Sequence, residues 1–315
     1  MTPPARVAVV GEALVDVVHR IDGSVDRAPG GSPANVALTL GRLGLDVALH
    51  TRLGDDPDGR AVRRWLSDSG VRIEAAAAPR TSTATARLDE AGAAEYTFDI
   101  DGEPVDAALA PADVLHVGSV AALLTPGADL VVELAEHRMP GTLLSYDPNI
   151  RPALVDDPAD VRHRVQRLVA AADIVKASDE DVRWLHPDRD IDDVAREWLA
   201  SGPTLVVVTA GSGGATAYRT DGRHRVVAAD TTVVDTVGAG DTFMGTLVAA
   251  LLAATSGAED RRAAIAALTP GVLEHVLLAC AEAAAITVSR PGADPPVAAE
   301  LNFLNSVGLA HTTKG

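Results

Sequence analysis

The chain has 315 residues, 47% of them hydrophobic, enough to bury a sizeable core in one large domain or two of ordinary size. Its net charge of −17 argues against nucleic acid as a partner, because phosphate contacts need a basic surface, and it means that a bound polyanion is held by local devices against the overall field. One cysteine, Cys280, excludes an intramolecular disulfide and suits a reducing compartment. Set in the apolar run Val276-Leu277-Leu278-Ala279-Cys280-Ala281, it reads as a buried, inert thiol. The N-terminal Met1-Thr2-Pro3-Pro4-Ala5-Arg6 lacks the basic-then-apolar order of a signal peptide, and no uninterrupted apolar stretch reaches the roughly 18 residues of a membrane span. A cytoplasmic protein with no membrane partner is expected. Only Lys176 and Lys314 are lysines; every other basic residue apart from histidine is arginine.

In chain order, Arg6–Val10 predicts a buried strand and residues 15–19 a short strand outside the main sheet. Residues 33–43 predict a helix, with Ser32 as N-cap, Pro33 at the first helical position and Gly44 just past the end. A strand over 47–53 and a helix over 59–68 follow. Residues 83–99 interrupt the alternation as a hairpin turning at 89–92. Strands at 114–117, 143–146, 173–176 and 205–209 are each separated by a helical segment, which implies βαβ units and a parallel sheet covered on both faces. Residues 215–228 form a second hairpin around Asp221-Gly222, and from Gly238 the chain is helical through 244–254 and again through 272–287. No repeat or linker stands out. The expectation is one α/β domain over 1–315 with lid segments at about 13–20 and 82–100, and a loosely docked tail at about 295–315.

The segment Asp235-Thr236-Val237-Gly238-Ala239-Gly240-Asp241-Thr242-Phe243 leads small residues straight into a helix. A helix N-terminus offers unpaired donors and a partial positive charge, and glycines let backbone approach an anion closely. Asp241, in the first turn, would lie beside a transferring phosphoryl group and could take a proton from a substrate hydroxyl. On spacing alone, a loop with a helix-capping aspartate fits equally well. A second glycine segment, Gly30-Gly31-Ser32-Pro33-Ala34-Asn35-Val36-Ala37-Leu38, ends at Leu43-Gly44 and is followed by Gly54-Asp55-Asp56-Pro57-Asp58-Gly59. In order and separation, the two regions resemble the paired signatures of the PfkB (ribokinase-like) carbohydrate kinases, and the likeness runs from Val7 to about Gly292.

That resemblance implies a ribokinase-like three-layer sandwich with a mainly parallel sheet and a small β lid, transferring the γ-phosphoryl group of ATP to a sugar hydroxyl. By it, Gly238, Ala239 and Gly240 form an anion hole and Asp241 activates the hydroxyl. Gly30, Gly31 and Asn35 contact the sugar, and Asp16, in Gly11-Glu12-Ala13-Leu14-Val15-Asp16, accepts from its hydroxyls. Val208-Thr209-Ala210-Gly211-Ser212-Gly213-Gly214 resembles the nucleotide-binding turn, with Thr209, Gly211 and Gly214 as contacts; by itself it reads as a plain strand-turn. Residues 285–293, with Ser289-Arg290-Pro291-Gly292, resemble the segment that closes the adenine pocket and holds a monovalent cation such as K+ beside Asp235. One departure concerns the family's Asn-x-x-Glu element. Here Lys176-Ala177-Ser178-Asp179-Glu180-Asp181 puts Ser178 and Asp181 in its places, with Lys176 and Ser178 expected at the nucleotide and Asp181 or Glu180 at Mg2+. A solvated acidic helix start is the other reading.

Ser145-Tyr146-Asp147-Pro148-Asn149-Ile150-Arg151-Pro152 puts Asp147, Asn149 and Arg151 at the C-terminal edge of the sheet, where open α/β folds bind ligands. Its Asp-x-Asn-x-Arg pattern resembles fructokinases and 2-keto-3-deoxygluconate kinases, with Arg151 pairing phosphate or a carboxylate. The Gly11-Glu12-Ala13-Leu14-Val15-Asp16 stretch and the Gly30-Gly31-Ser32-Pro33-Ala34-Asn35 run look most like bacterial fructokinases, so D-fructose giving fructose 6-phosphate is the expected reaction and 2-keto-3-deoxygluconate the alternative substrate. Tyr96 and Phe98 either close over the sugar or pack the lid. Walker, dinucleotide-fold and serine-hydrolase motifs are absent. A non-catalytic sugar- or nucleotide-binding regulator is the alternative of another class, resting on the Ser178/Asp181 departure. The expected partners are a small-molecule sugar and ATP, with monomer and homodimer both open.

Overall fold

Alternating β-branched runs and helices build one large sheet between two helical layers, with a smaller sheet beside it. The computed structural model describes residues 4–88, 94–105 and 109–301, so the turn expected at 89–92 and the tail beyond residue 301 lie outside the described residues, as does the side chain of Tyr96. The strands are β1 (Arg6–Val10), β2 (Leu14–His19), β3 (Val25–Gly30), β4 (Asp46–Leu53), β5 (Arg72–Ala77), β6 (Ser82–Leu88) and β7 (Ala94–Asp99), then β8 (Val114–Gly118), β9 (Leu143–Asp147), β10 (Ile174–Ser178), β11 (Leu205–Thr209), β12 (Ala215–Arg219) and β13 (Gly222–Val226). The helices are α1 (Ser32–Arg42), α2 (Pro57–Ser67), α3 (Gly127–Glu136), α4 (Pro158–Ala171), α5 (Asp179–Leu185), α6 (Ile191–Ser201), α7 (Ala239–Ala254), α8 (Arg261–Ala266) and α9 (Pro270–Val288).

The large sheet runs β13-β12-β11-β10-β9-β8-β1-β4-β5, parallel from β11 to β5, with the β12–β13 hairpin added antiparallel at one edge. Successive side chains of a strand point to opposite faces, and both faces here are covered, so the central strands read as unbroken apolar runs. Val7, Val9, Leu49, Val114, Leu143, Ile174 and Val207 form one core with α1, α7 and α9. Val10, Leu115, Val117, Leu144, Val175 and Val206 form the other with α3, α4 and α6. The small sheet has the order β3-β2-β6-β7, with β2 and β6 parallel and the outer pairs antiparallel. Arg52 on β4 donates to Asp101 at 2.9 Å, and the Asp101 N–H donates to Ser82, which ties the small sheet's exit to the large one.

By length and composition α9 is apolar enough to cross a bilayer, yet it is a core helix: Leu273, Val276, Leu277, Cys280 and Ala283 are buried, and it packs against α7. Cys280 is buried as expected, and burial pushes its thiol well above the usual range.

Four local readings change. Ser32 does not cap α1: the cap is Gly31, at φ 101°, and it makes no side-chain capping bond. The hydroxyl of Ser32 goes elsewhere, as described below. β3 and β5 carry no strand signal in the sequence, because β3 (VDRAPG) is polar and mostly exposed and β5 (RIEAAA) is alanine-rich, so neither has the branched apolar pattern of a strand. α2 begins at Pro57, two residues early, because Asp56 caps it by accepting from Gly59 N at 2.7 Å. The same carboxylate accepts from Thr81 N at 2.7 Å, so the Gly54–Gly59 stretch anchors the entry to β6. Asp173 sits just before β10, its carboxylate accepting from Leu144 N at 2.7 Å and from Arg138 at 3.1 Å.

Candidate active site

On the α1/α7 face, the parallel strands are apolar for most of their length and turn polar at their C-terminal ends. Asp147 ends β9, Lys176 and Ser178 end β10, and Thr209 ends β11 in register with Ser178. The N-terminus of α7 comes down on this edge. Its cap, Gly238, is left-handed at φ 75°, a conformation that favours glycine, and a side chain there would lie 2.7 Å from Cβ of Ala293. The first turn of α7 then offers N–H groups without helical acceptors.

Asp241 is buried in that turn and held from two other elements. Ser32 Oγ donates to its Oδ1 at 2.6 Å, Asn35 Nδ2 to its Oδ2 at 2.7 Å, and Asn149 Nδ2 reaches Oδ1 at 3.4 Å. Asn35 Oδ1 is buried without a partner among the described residues, an acceptor left open beside the carboxylate. Lys176 Nζ donates to Asp147 Oδ2 at 2.9 Å and lies against Gly240, where a side chain would come within 3.0 Å of it. An ammonium thus sits beside the backbone of the expected anion site. Burial pushes Asp147 up to about 6, with Asp181 and Asp241 adding to the rise and Lys176 opposing it. Burial disfavours the Lys176 charge too, but Asp147, Asp181 and Asp241 outweigh it and hold the ammonium above its ordinary range. Both groups are raised, the carboxyl because burial outweighs its single ammonium and the ammonium because several carboxylates outweigh its burial.

Asp16 lies against Gly30, where a side chain would fall 2.2 Å from Asp16 Oδ2. Gly31 is similarly tight, a side chain there meeting the Glu12 carbonyl at 2.8 Å. Burial raises Asp16 to about 6; Arg151 pulls it down, and Asp241 and Asp235 push it up. Arg151 is exposed, donates to Asn149 Oδ1 at 2.7 Å and forms no salt bridge among the described residues. Ser178 and Asp181 form a capping box at α5: Ser178 Oγ accepts from Asp181 N, and Asp181 Oδ2 accepts from Ser178 N at 2.9 Å. Asp181 Oδ1 accepts from Ile150 N at 2.8 Å, so this residue also clamps the turn that carries Asn149. Glu180, by contrast, is exposed and joins none of this. Among the described residues no group of three His, Cys, Asp or Glu side chains converges to hold a metal.

In the turn after β11, Ala210 N donates to the Gly214 carbonyl at 2.9 Å, with Gly211 at φ 50° and Gly214 at φ 86°. Asp235 accepts from Val237 N at 3.0 Å and from Gly292 N at 2.9 Å, joining the 285–293 segment to the loop before α7. Val227, Val233, Val234 and Val237 are exposed nearby in the chain.

The profile of the pfkB family carbohydrate kinases matches residues 4–299. The chain belongs to this family. A fructokinase of Rhizobium leguminosarum bv. trifolii is 37% identical over 254 residues, covering 76% of this chain and 78% of its own. One from Klebsiella pneumoniae is 36% identical over 274 residues, 83% of this chain and 88% of its own. Among solved structures, a double-mutant fructokinase from Vibrio cholerae O395 in fructose-, ADP- and potassium-ion-bound form is 28% identical, with TM-score 0.80 over 96% of this chain and all (100%) of that one. A ribokinase from Thermotoga maritima, 19% identical at TM-score 0.74 over 96% of this chain and 99% of that one, shares the fold. The α/β fold expected from the sequence is thus the ribokinase-like one.

Within this pfkB-family frame, the structure gathers Asp16, Gly30 and Gly31 on one side, Asn35, Gly238 and Asp241 at the centre, and Lys176 with Gly240 beside them. Three further positions stand in motifs whose pattern gives their own contacts no signal. Ser32 reads there as a helix cap, Asp147 as part of the ligand-edge turn with no hint of its pairing to Lys176, and Glu12 as part of the Gly11–Asp16 stretch without a role of its own. Glu12 Oε2 accepts from Ala121 N at 3.0 Å, and burial pushes the carboxyl up to about 7 against hydrogen bonds from Ser119 and Ala121.

Gly30→Ala must displace the Asp16 carboxylate, so kcat/KM for sugar is expected to fall roughly 10–100-fold, carried mostly by KM. Steady-state kinetics check it; an unchanged KM would remove Asp16 from sugar contact. Glu12, with its folded-state value above the ordinary 4.5, binds more protons folded than unfolded between about 4.5 and 7. Its contribution to stability therefore falls as pH rises through that window. Glu12→Gln lacks this slope, so its urea midpoint is expected to climb relative to the parent between pH 5 and pH 7.

Proposed function

We propose that this chain is an ATP-dependent fructokinase that transfers the γ-phosphoryl group to the 6-hydroxyl of D-fructose. The observation that carries the reading is Asp241, a buried carboxylate in the first turn of α7, held by Ser32 and Asn35 and flanked by Lys176 against Gly240. Asp241 takes the hydroxyl proton as the oxygen attacks, and the N–H groups at Gly238, Ala239 and Gly240 take up charge on the transferring phosphoryl group. Lys176 adds a fixed positive charge at the same point. Asp16, Gly30, Gly31, Asn35 and Arg151 hold the sugar, and the open Asn35 Oδ1 suits a sugar hydroxyl. Thr209, Gly211, Gly214 and Ser178 receive the nucleotide, with the exposed valines of 227–237 against its base. The small sheet acts as a lid that keeps water from the phosphoryl group.

Mg2+ would neutralise phosphate charge when bound. The residues fit an ion held through water and the nucleotide, because both Asp181 oxygens already accept hydrogen bonds and retain only outer lone pairs. Glu180 plays no part. A monovalent cation such as K+ suits the Asp235–Gly292 junction.

A second reading, 2-keto-3-deoxygluconate as acceptor, is favoured by Arg151, whose guanidinium is exposed and without a salt bridge among the described residues. The test is magnesium-dependent ADP release from ATP with fructose, ribose, tagatose, adenosine, fructose 1-phosphate and 2-keto-3-deoxygluconate. Turnover with fructose alone supports the proposal. Turnover with the keto-acid moves Arg151 to carboxylate recognition, and silence with nucleotide binding intact leaves a binding protein.

A further inference from the structure

We infer that Arg42, at the far end of α1 from the catalytic carboxylate, is a positioning residue for the anion site at the start of α7. Arg42 Nη1 donates to Asp294 Oδ1 and to the Pro295 carbonyl, both at 2.5 Å, and its Nε to Ser69 Oγ at 3.3 Å. Its side chain is only 22% exposed, so these bonds are shielded from solvent on most sides. One planar guanidinium thereby ties α1, the loop after α2 and the segment that follows α9.

What that last segment touches gives the tie its meaning. Ala293, next to Asp294, occupies the space a side chain on Gly238 would take, its Cβ 2.7 Å from where that side chain would begin; Gly238 is the left-handed cap of α7. Gly292 N–H donates to the Asp235 carboxylate at 2.9 Å, at the entry of the same loop. Residues 292–293 therefore brace both ends of the 235–238 loop. Arg290 holds the segment from its other side through Glu300 at 2.5 Å and Asp294 at 3.6 Å. Nothing in the segment's own secondary structure fixes it, since α9 has ended at Val288 and the next helical turn begins at Ala298. Arg42 is a polar link from this brace to a rigid helix, beside the apolar anchoring of Ala298 and Leu301 further on. The same helix carries Ser32 and Asn35, so α1 grips the site at both of its ends: directly on Asp241, and through Arg42 on Gly238.

The inference rests on the proposed phosphoryl-transfer reading, but its test does not need fructose to be the substrate. ADP binding to the full-length protein is measured by calorimetry, alongside steady-state KM values for ATP and sugar. Arg42→Gln is expected to weaken ADP binding and raise KM for ATP about tenfold, with KM for sugar changed less than twofold. Arg42→Lys, which keeps the charge and one bond, is expected to recover part of the loss. Asp294→Asn, at a half-exposed site that tolerates replacement, is expected to weaken ADP binding in the same direction. Circular dichroism melting follows each variant. ADP affinity unchanged in Arg42→Gln and Asp294→Asn overturns the inference, as does an equal rise in both KM values. If the parent protein binds ADP but ignores every sugar, the functional reading fails while the ADP comparison still decides the role of Arg42.

Discussion

Replacing Asp241 by Asn is expected to lower turnover about 1,000-fold while leaving the fold and nucleotide binding intact, because a positioned base contributes roughly 10²–10⁴ to a proton-coupled step. The substitution removes the proton acceptor and little else. The carboxylate accepts from Ser32 on one oxygen and from Asn35 on the other. An amide in its place can still accept from Ser32, and its new NH2 group would oppose the donor of Asn35. Asn35 can relieve that conflict by an amide flip, since its Oδ1 has no partner to lose. A melting temperature close to the parent's, with ADP bound normally and sugar phosphorylation nearly gone, is the expected result. Unchanged phosphorylation in this variant would reject Asp241 as the base and return the helix start to a plain capping role.

Lys176→Met is expected to give the largest loss of stability, about 3–5 kcal/mol, together with loss of turnover. The ion pair it breaks is buried, with Lys176 4% and Asp147 1% exposed, and removing one partner strands the other charge in a low-dielectric site. For a chain of this size that corresponds to a fall of about 5–8 °C in melting temperature. Among the described residues Asp147 Oδ1 already lacks a partner, so none of them stands ready as a donor to replace the ammonium. The sign of the pH dependence separates this cause from a simple packing defect. Asp147 is held above its ordinary 3.8 by burial, and losing Lys176 pushes it further up. A carboxyl raised in the folded state stabilises when protonated and loses that contribution as pH rises through its folded value. The variant's deficit should therefore shrink as pH falls from 7 toward 5, whereas a packing defect would be insensitive to pH. Adding Asp147→Leu is expected to restore most of the stability by removing the stranded charge, yet not the activity, because the cation beside Gly240 stays absent.

Most of the large sheet was legible in the sequence because its strands are buried on both faces and so are written as continuous β-branched runs, such as LVVVT at 205–209. β3 and β5 were illegible for the opposite reason: they lie at sheet edges, where partial burial asks little of the side chains. The glycine segments were legible as chemistry because backbone approach to an anion and left-handed caps restrict the residue type. Gly238 and Asp241 thus stood out as candidates from local pattern, whereas Asn35 came only from the family resemblance. Ser32 did neither, since a serine before Pro33 carries the local signal of a helix cap, and its bond to Asp241 spans 209 positions. The Ser178/Asp181 departure likewise looked like a question about metal, and in the fold those two residues build a capping box that also clamps Ile150.

The amino-acid sequence by itself determined the fold class and the family, because the one is encoded by short-range periodicity and the other by paired glycine-bearing motifs. Only the tertiary structure decided which residues hold Asp241, that Lys176 is paired with Asp147 against Gly240, and that Arg42 ties the segment after α9 to the end of α1. Those relations join strand ends and helix termini far apart in the chain. Burial and charge compensation set them, and both depend on what surrounds a residue in space.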